Sequence, residues 1–203
     1  MKATDLLPGI FAALFFVSCG PKSLPAAEWI PWMENEANHL RQTKTEGEVT
    51  YILQYKNMDY VLAKKGRGLF DETEDIGRIR EDAGRSLLFD LFITCDNGKA
   101  GPLQHRTADS REINDRDTYY HFRFGNDVYL EQDSVHIKPT YCIADKGSGL
   151  NNALAFSIGF DRSRLGEGDF RFVVNDTQFG TGKVKFLFKN KYIQRIPAIK
   201  TDA

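Results

Sequence analysis

The sequence predicts a mainly β protein, either an antiparallel β-sandwich or a curled sheet with short helices near the N-terminus, and α+β is the alternative class. Three observations favour this prediction. Apolar side chains recur at every second position in several segments. Turn residues such as glycine, asparagine and aspartate separate those segments. Helical spacing is confined to the first third of the chain, so we expect no long helix between strands.

Two short helices are expected near the N-terminal end. The first lies within residues 23–41, where Pro31 either begins the helix or kinks it, because proline lacks an N–H donor. Its apolar stripe consists of Trp29, Trp32, Met33, Ala37 and Leu40, and we expect both tryptophans to pack on the domain. The second helix covers residues 57–65, is capped by Asn57 and is closed by Gly66.

Eight segments show the alternation of strands. They are residues 49–55, 87–95, 118–124, 128–131, 135–143, 153–160, 170–174 and 183–188. The segment at 87–95 is apolar on both faces, which predicts a central strand. Pro139 indicates a sheet edge or a bulge. We expect a long loop at 99–117, of the kind that is often functional, and a frayed tail from Pro197.

The N-terminal residues predict export and lipid attachment. An apolar run of about eight residues, Ile10 to Val17, precedes Ser18 and Cys19. This run suits a signal peptide, which needs roughly 7–15 apolar residues, but it is too short for a membrane span of about 20. We therefore interpret residues 1–18 as a lipoprotein signal peptide, 19–24 as a tether and 25–203 as a single β-rich domain. An ordinary secretory signal cut nearby is the alternative.

Acylation of Cys19 would place the domain in the cell envelope, facing the periplasm or the cell surface. Each buried CH₂ contributes about 0.8 kcal/mol, and stable anchoring needs more than one acyl chain, such as palmitate. The expected partners are the membrane, through this anchor, and either an envelope protein or a glycan.

The net charge argues against nucleic acid as a partner, and the composition predicts a folded domain. The 203 residues include 27 basic and 28 acidic side chains, a net charge of −1, so no field of one sign attracts nucleic acid. The hydrophobic fraction of 41%, with fifteen Phe and eight Tyr, is ample for a packed core.

Cys95 and Cys142 remain once Cys19 is assigned to the lipid. An oxidising compartment permits a disulfide between them, and two separate, partly buried thiols are the alternative.

Catalytic, metal and cofactor motifs are not evident, and no cofactor is expected. The sequence contains no G-x-S-x-G motif and no cysteine–histidine spacing typical of zinc sites. His121 and His136 are the candidates for catalysis, because both lie on outward faces of predicted strands and could meet beside Asp127 or Asp133. We expect the acidic runs at 71–75 and 115–117 to be solvated rather than to bind Ca²⁺.

Three functions remain open at this point. The leading hypothesis is a non-enzymatic binding or envelope-assembly module on a lipid anchor. The alternative is an enzyme or small-ligand binder whose site combines the loop at 99–117 with His121 and His136. A structural envelope subunit would expose a large apolar patch, for instance around Trp29 and Trp32.

The chain also resembles uncharacterised lipoproteins of the Bacteroidetes type. The resemblance rests on Cys19, on the Trp29/Trp32 helix followed by Asn35, and on the blocks YILQYKNMDYVLA (Tyr51–Ala63), NDVYLEQD (Asn126–Asp133) and FGTGKVKFLF (Phe179–Phe188). These pieces span most of the mature chain. The resemblance implies an extracytoplasmic lipoprotein and carries no implication for catalysis, because no activity is established for that group.

Overall fold

The structure is a computed structural model that describes residues 23–64, 84–99, 101–145 and 152–200. The signal peptide, Cys19 and the acidic run at 71–75 lie outside these residues, so their interpretation stays a prediction. None of the helices in the described part of the chain has the length and hydropathy to cross a membrane.

Two antiparallel sheets form the body of the domain, which confirms the predicted fold class. Numbered along the chain, the strands of the first sheet lie in the order β2 (Arg41–Glu46), β3 (Val49–Lys56), β4 (Ser86–Cys95), β8 (Ala153–Asp161) and β7 (Tyr141–Ala144). The second sheet has the order β10 (Gly182–Phe188), β9 (Phe170–Asp176), β5 (Val128–Gln132) and β6 (Val135–Ile137).

The inward rows of the two sheets meet in an aromatic core. Alternate residues of β3, β4 and β8 are buried, as the period-two pattern predicts. The Phe89 ring on β4 lies 5.1 Å from the Phe172 ring on β9, centroid to centroid, and so joins the sheets. Strand β4 is the middle strand of its sheet, which confirms the prediction of a central strand.

The segment at 135–143 is two strands rather than one. Strand β6 belongs to the four-stranded sheet and β7 to the five-stranded sheet. Residues 138–140 carry the chain between them, and Pro139 interrupts the ladder because it has no N–H to donate. Both strands lie at the edges of their sheets, which agrees with the edge that Pro139 predicted, but the prediction of one continuous strand was wrong.

Helix α3 (Ser110–Phe122) overturns two predictions, the loop through residue 117 and the strand at 118–124. Asp109 caps this helix by accepting hydrogen bonds from the backbone N–H groups of Arg111 and Glu112, at 2.8 and 3.0 Å. The Glu112 carboxylate in turn accepts from the Ala108 N–H at 2.9 Å. This reciprocal cap satisfies donors that would otherwise be unpaired and fixes where the helix begins.

Helical spacing also changes which aromatic residues of this segment are buried. Tyr119 and Tyr120 face the core, and Tyr120 lies 5.8 Å from Phe156 on β8, centroid to centroid. Phe122, which an alternating strand would have buried beside Tyr120, is 80% exposed. The prediction that helices are confined to the first third of the chain is therefore wrong.

Helix α1 (Ala26–Glu34) is shorter than predicted and contains Pro31. Helix α2 (Met58–Lys64) begins after Asn57, whose side chain accepts the Tyr60 N–H at 2.9 Å, as predicted for its cap. Residue 65 and Gly66, predicted to close this helix, lie outside the described residues. Trp29 is fully buried, so its face is core and not an exposed apolar patch.

The two chain ends of the described part are tied together. Strand β1 (Ser23–Pro25) pairs in parallel with β11 (Ala198–Lys200), which follows helix α4 (Asn190–Ile193). The Trp29 indole N–H donates to the Pro197 carbonyl at 2.7 Å. The tail at 197–200 is thus ordered rather than frayed, and the last two residues of the predicted tether belong to a strand.

Candidate functional site

A polar cleft of about 520 Å³ opens where β3 begins and β4 ends. Three segments that are distant in sequence line it. They are residues 46–49, the residues His105, Arg106 and Arg116, and residues 178–181. The loop predicted to be functional at 99–117 therefore contributes to this cleft, although much of it is helix α3.

The pairing of β3 with β4 places two carboxylates together, Glu48 in the lining of the cleft and Asp96 next to it. Val49 pairs with Cys95, so Glu48 and Asp96 lie side by side just beyond the ladder. The Asp96 N–H donates to the Glu48 carbonyl at 2.9 Å and extends the pairing by one residue. Glu48 sits in the two-residue turn between β2 and β3, where Gly47 adopts a φ of 62°. This turn needs a positive φ, which glycine adopts at little cost.

Hydrogen bonds from Arg116 on helix α3 position the loop that carries His105. The Arg116 guanidinium donates to the carbonyls of Pro102, Leu103 and His105, at 2.8, 3.3 and 2.6 Å. The His105 N–H also donates to the Gly101 carbonyl at 3.0 Å. These bonds hold the loop against the end of the sandwich, and the His105 side chain is only 6% exposed.

The His105 imidazole lies between the two carboxylates. Its Nδ1 is 3.2 Å from Asp96 Oδ2, and its Nε2 is 3.4 Å from Glu48 Oε2. Arg106 Nη2 lies 2.7 Å from the same Glu48 oxygen. Arg106 adopts a φ of 52°, a left-handed conformation that is costly for a non-glycine residue. We call Glu48, Asp96 and His105 the carboxylate–histidine cluster.

A buried carboxylate shapes the opposite wall of the cleft. Asp176, at the end of β9, accepts hydrogen bonds from the backbone N–H groups of Gln178 and Phe179, both at 2.8 Å. Its other oxygen accepts from the Tyr51 hydroxyl, which also lies 2.9 Å from Thr181 Oγ1. Burial, together with this bond to Asp176, raises the pKa of Tyr51, so its hydroxyl stays protonated at neutral pH.

The two histidines that the sequence singled out lie elsewhere. His121 is on α3, partly exposed, with Nδ1 3.0 Å from the Asp117 carbonyl. His136 is on β6, is 55% exposed and packs on the Tyr129 ring at a centroid distance of 4.5 Å. Neither side chain lines the cleft. The strand pairing that would have joined them does not exist, because residues 118–122 are helical.

Cys95 and Cys142 are both free thiols. Cys142 pairs with Ile158, and Ile158 pairs with Phe89, which is six residues from Cys95 along β4. Six residues of strand span about 20 Å, whereas a disulfide requires Cα atoms within about 7 Å. The structure therefore does not bring these cysteines together.

Both thiols should be unreactive in the folded protein. Burial raises the pKa of Cys95 and of Cys142 to about 12. At pH 8 the reactive thiolate is then a fraction of about 10⁻⁴, so reaction with a disulfide reagent should be about 10³-fold slower than in the unfolded chain. The contribution of these thiols to stability is complete below about pH 8.5 and is lost as the pH rises toward 12.

A thiol count on the Cys19→Ala chain measures this directly. Without reductant, two thiols should react after unfolding in guanidinium and none should react quickly before it. A need for reductant after unfolding would instead indicate a disulfide.

A second groove, of about 620 Å³, lies on the outer face of the five-stranded sheet. Its floor contains Ile52 and Phe92, and its rim carries the ion pair between Lys56 and Asp90. Among the described residues that line this groove, no cluster of metal-ligating side chains is found, so the polar cleft is the better candidate for chemistry.

Searches against protein-family models, curated proteins and solved structures find no significant match for this chain. The resemblance to Bacteroidetes-type lipoproteins therefore stays a prediction from the sequence. Among the parts of the cleft, only the loop at 99–117, which supplies His105, Arg106 and Arg116, was predicted from the sequence to be functional. Glu48 and Asp96 carried no sequence signal, because their proximity depends on strand register.

Proposed function

We propose that this protein is a lipid-anchored binding module of the cell envelope, and that it takes a small polar ligand, such as a sugar unit of an envelope glycan, into the polar cleft. The single observation that carries the proposal is the cleft itself, where three distant segments converge around the nearly buried His105. Its volume of about 520 Å³ lies within the range of small-molecule sites, roughly 300–1,000 Å³.

The charge of the cleft favours a neutral polar ligand. Two acidic side chains, Glu46 and Glu48, and two basic ones, Arg106 and Arg116, line the cleft together, so no net field of one sign selects a strongly charged molecule. Hydrogen-bonding side chains and the partly exposed Phe179 ring suit a hydroxylated ligand with an apolar face.

The anchor supplies the location of this module. The apolar run ending in Ser18 and Cys19 supports export and acylation of Cys19. Strand β1 begins at Ser23, so only a few residues would separate the acylated cysteine from the folded domain. The domain would then stand close to the membrane surface.

Replacing Cys19 by alanine should release the protein from the membrane fraction or leave its precursor uncleaved, because the acyl chains have no other attachment point. Fractionation and mass spectrometry of the N-terminal peptide measure both effects. The Cys142→Ala variant is the matched control and should remain membrane-bound. An unmodified N-terminal peptide from the native protein would contradict the anchor.

Filling the mouth of the cleft should abolish ligand binding. Glu46 is exposed and lines the cleft, so the Glu46→Trp variant should block entry without disturbing the core. Calorimetric titration with a panel of neutral oligosaccharides measures binding, and we expect at least a tenfold loss of affinity. Glu28→Trp on α1, an exposed position that does not line the cleft, is the control.

Two outcomes would contradict this function. One is that no oligosaccharide in the panel binds the unmodified chain. The other is that Glu46→Trp binds as tightly as Glu28→Trp, which would place the ligand outside the cleft.

A further inference from the structure

We propose that Glu48, Asp96 and His105 form a binding site for one divalent transition-metal cation, with Zn²⁺ preferred over Mn²⁺. This site goes beyond the proposed function, because a metal could bind the cluster whether or not a saccharide enters the cleft. Among the residues that the structure describes, this is the group of histidine, cysteine and carboxylate side chains that could hold a metal ion.

The spacing of the three side chains fits a small cation. One ligand atom from each residue can be chosen so that all lie within 4.8 Å of one another. Ligands at about 2.0–2.2 Å from a tetrahedral Zn²⁺ stand roughly 3.3–3.6 Å apart. One imidazole gives a single cation only one of its nitrogens. Nδ1 lies 3.2 Å from Asp96 Oδ2 and Nε2 lies 3.4 Å from Glu48 Oε2, so either nitrogen already has one carboxylate oxygen close to that spacing. The other carboxylate, which is partly exposed, would have to rotate toward the same nitrogen.

A neutral His105 ring cannot donate a hydrogen bond in both of its contacts with carboxylates. A neutral imidazole offers one N–H and one lone pair, whereas an ionised carboxylate can only accept. Both ring nitrogens face carboxylate oxygens, so one contact sets two acceptors against each other unless a positive charge lies between them. A metal cation supplies that charge, and a second proton on the ring is the alternative that the experiment must separate.

The cluster is held rigidly enough to prefer one geometry. Glu48 and Asp96 are fixed by the adjoining ends of β3 and β4, and Arg116 clamps the loop that carries His105. The 6% exposure of the imidazole means that its ring cannot turn freely into solvent. Preorganised ligands lose little conformational entropy when a metal binds.

The donor set selects the class of cation. Imidazole nitrogen suits transition metals such as Zn²⁺, and two carboxylates also accept Mn²⁺. Ca²⁺ takes six to eight oxygen ligands, more than this cluster supplies. Zn²⁺ should bind more tightly than Mn²⁺, following the general affinity order of N/O sites. Coordination positions of the metal that no protein side chain fills would face the cleft.

Substitution of Arg106 should strengthen metal binding, whereas substitution of the ligands should weaken it. Its guanidinium lies 2.7 Å from Glu48 Oε2 and therefore competes with a metal for that oxygen. Its side chain is 72% exposed and can swing away. Removing this charge in Arg106→Gln should strengthen metal binding by about three- to tenfold, an effect that general damage to the site would not produce.

The experiment is a calorimetric titration of the purified full chain, stripped with a chelator, with ZnCl₂, MnCl₂ and CaCl₂ at constant pH. We expect one equivalent of Zn²⁺ to bind and Ca²⁺ to bind weakly. His105→Asn, Glu48→Gln and Asp96→Asn should each weaken Zn²⁺ binding at least tenfold. Glu46→Gln, a carboxylate of the same cleft outside the cluster, is the matched control and should stay within about twofold.

The outcomes separate a metal site from an ion-pair cluster. Since Glu48 and Asp96 are partly exposed, their amide variants should fold even where His105→Asn does not, and circular dichroism checks this. No saturable Zn²⁺ binding, or binding that is equal in Glu48→Gln, Asp96→Asn and Glu46→Gln, overturns the proposal. Because no saccharide is present, its failure leaves the result of the Glu46→Trp test unaffected.

Discussion

Replacing Phe89 by alanine should lower the free energy of unfolding by about 3–5 kcal/mol. Phe89 is fully buried on β4, the middle strand of its sheet. Its ring lies 5.6 Å from Tyr55 in the same sheet and 5.3 Å from Phe188 in the facing sheet, centroid to centroid. Close-packed interiors relax only partly around such a deletion, so a cavity would remain between the sheets.

Urea unfolding followed by tryptophan fluorescence measures this loss. A domain of this size has a total stability of roughly 5–15 kcal/mol, so the midpoint should fall markedly. Phe122→Ala removes the same side chain from an 80% exposed position and should change stability by no more than about 0.5 kcal/mol. Phe89→Leu should lie between the two. Equal midpoints for Phe89→Ala and Phe122→Ala would show that the aromatic cluster is not the centre of the core.

The two-layer architecture was predictable because the inward rows are strictly alternating and strongly apolar. The rows of β3 and β10 are examples: the apolar residues of each recur at every second position in the sequence and are buried in the structure. A one-residue slip would turn a whole row to solvent, so burial specifies which residues face inward.

Strand β2 and helix α3 were missed for opposite reasons. Strand β2 is polar at every position and mostly exposed, so it has no apolar alternation, and only its pairing with β3 makes it a strand. Helix α3 ends in a run of aromatics that suits a strand by propensity, which favoured the wrong interpretation. The Asp109–Glu112 cap was visible in the sequence and was the better signal.

The candidate site could not be assembled from the sequence because its members meet through tertiary structure. Glu48 and Asp96 become neighbours only through the register of β3 with β4, and the long segment 57–85 separates these two strands in the sequence. His105 reaches the pair because Arg116, on a helix that was not predicted, clamps its loop. The sequence could indicate the importance of the loop but not its partners.

Replacing Asp176 by alanine should lower the free energy of unfolding by about 3–5 kcal/mol and open the wall of the cleft. Asp176 is only 5% exposed and accepts bonds from the Gln178 and Phe179 N–H groups. Leaving a buried donor without an acceptor costs about 1–3 kcal/mol. Alanine would leave the two backbone N–H groups without their acceptor. It would also remove one of the two groups that the Tyr51 hydroxyl contacts, Asp176 and Thr181.

The Tyr51–Asp176 bond can be isolated by a double-mutant cycle. Asp176→Asn retains an oxygen for the backbone donors and should cost less than alanine, while Tyr51→Phe removes the hydroxyl alone. A hydrogen bond to a charged group contributes about 1.5–3 kcal/mol, so the two substitutions should be non-additive by about that amount. Tyr192→Phe, at a partly exposed position, is the control for losing a tyrosine hydroxyl. Additive losses would mean that the two groups act independently.

Variants of Asp176 and Phe89 also test whether the packing of the core affects ligand binding in the cleft. Asp176 holds the turn that carries Gln178 and Phe179 into the cleft wall, whereas Phe89 acts only on the packing of the sheets. Under conditions where each variant remains folded, Asp176→Ala should weaken saccharide binding, and Phe89→Leu should not. Zn²⁺ binding should be weakened less than saccharide binding in Asp176→Ala. The carboxylate–histidine cluster is held mainly by β3, β4 and Arg116, although Phe179 also packs on the His105 ring at a centroid distance of 5.9 Å. If Asp176→Ala weakens saccharide binding and Zn²⁺ binding equally, the turn at 178–179 and the carboxylate–histidine cluster are not held in place independently.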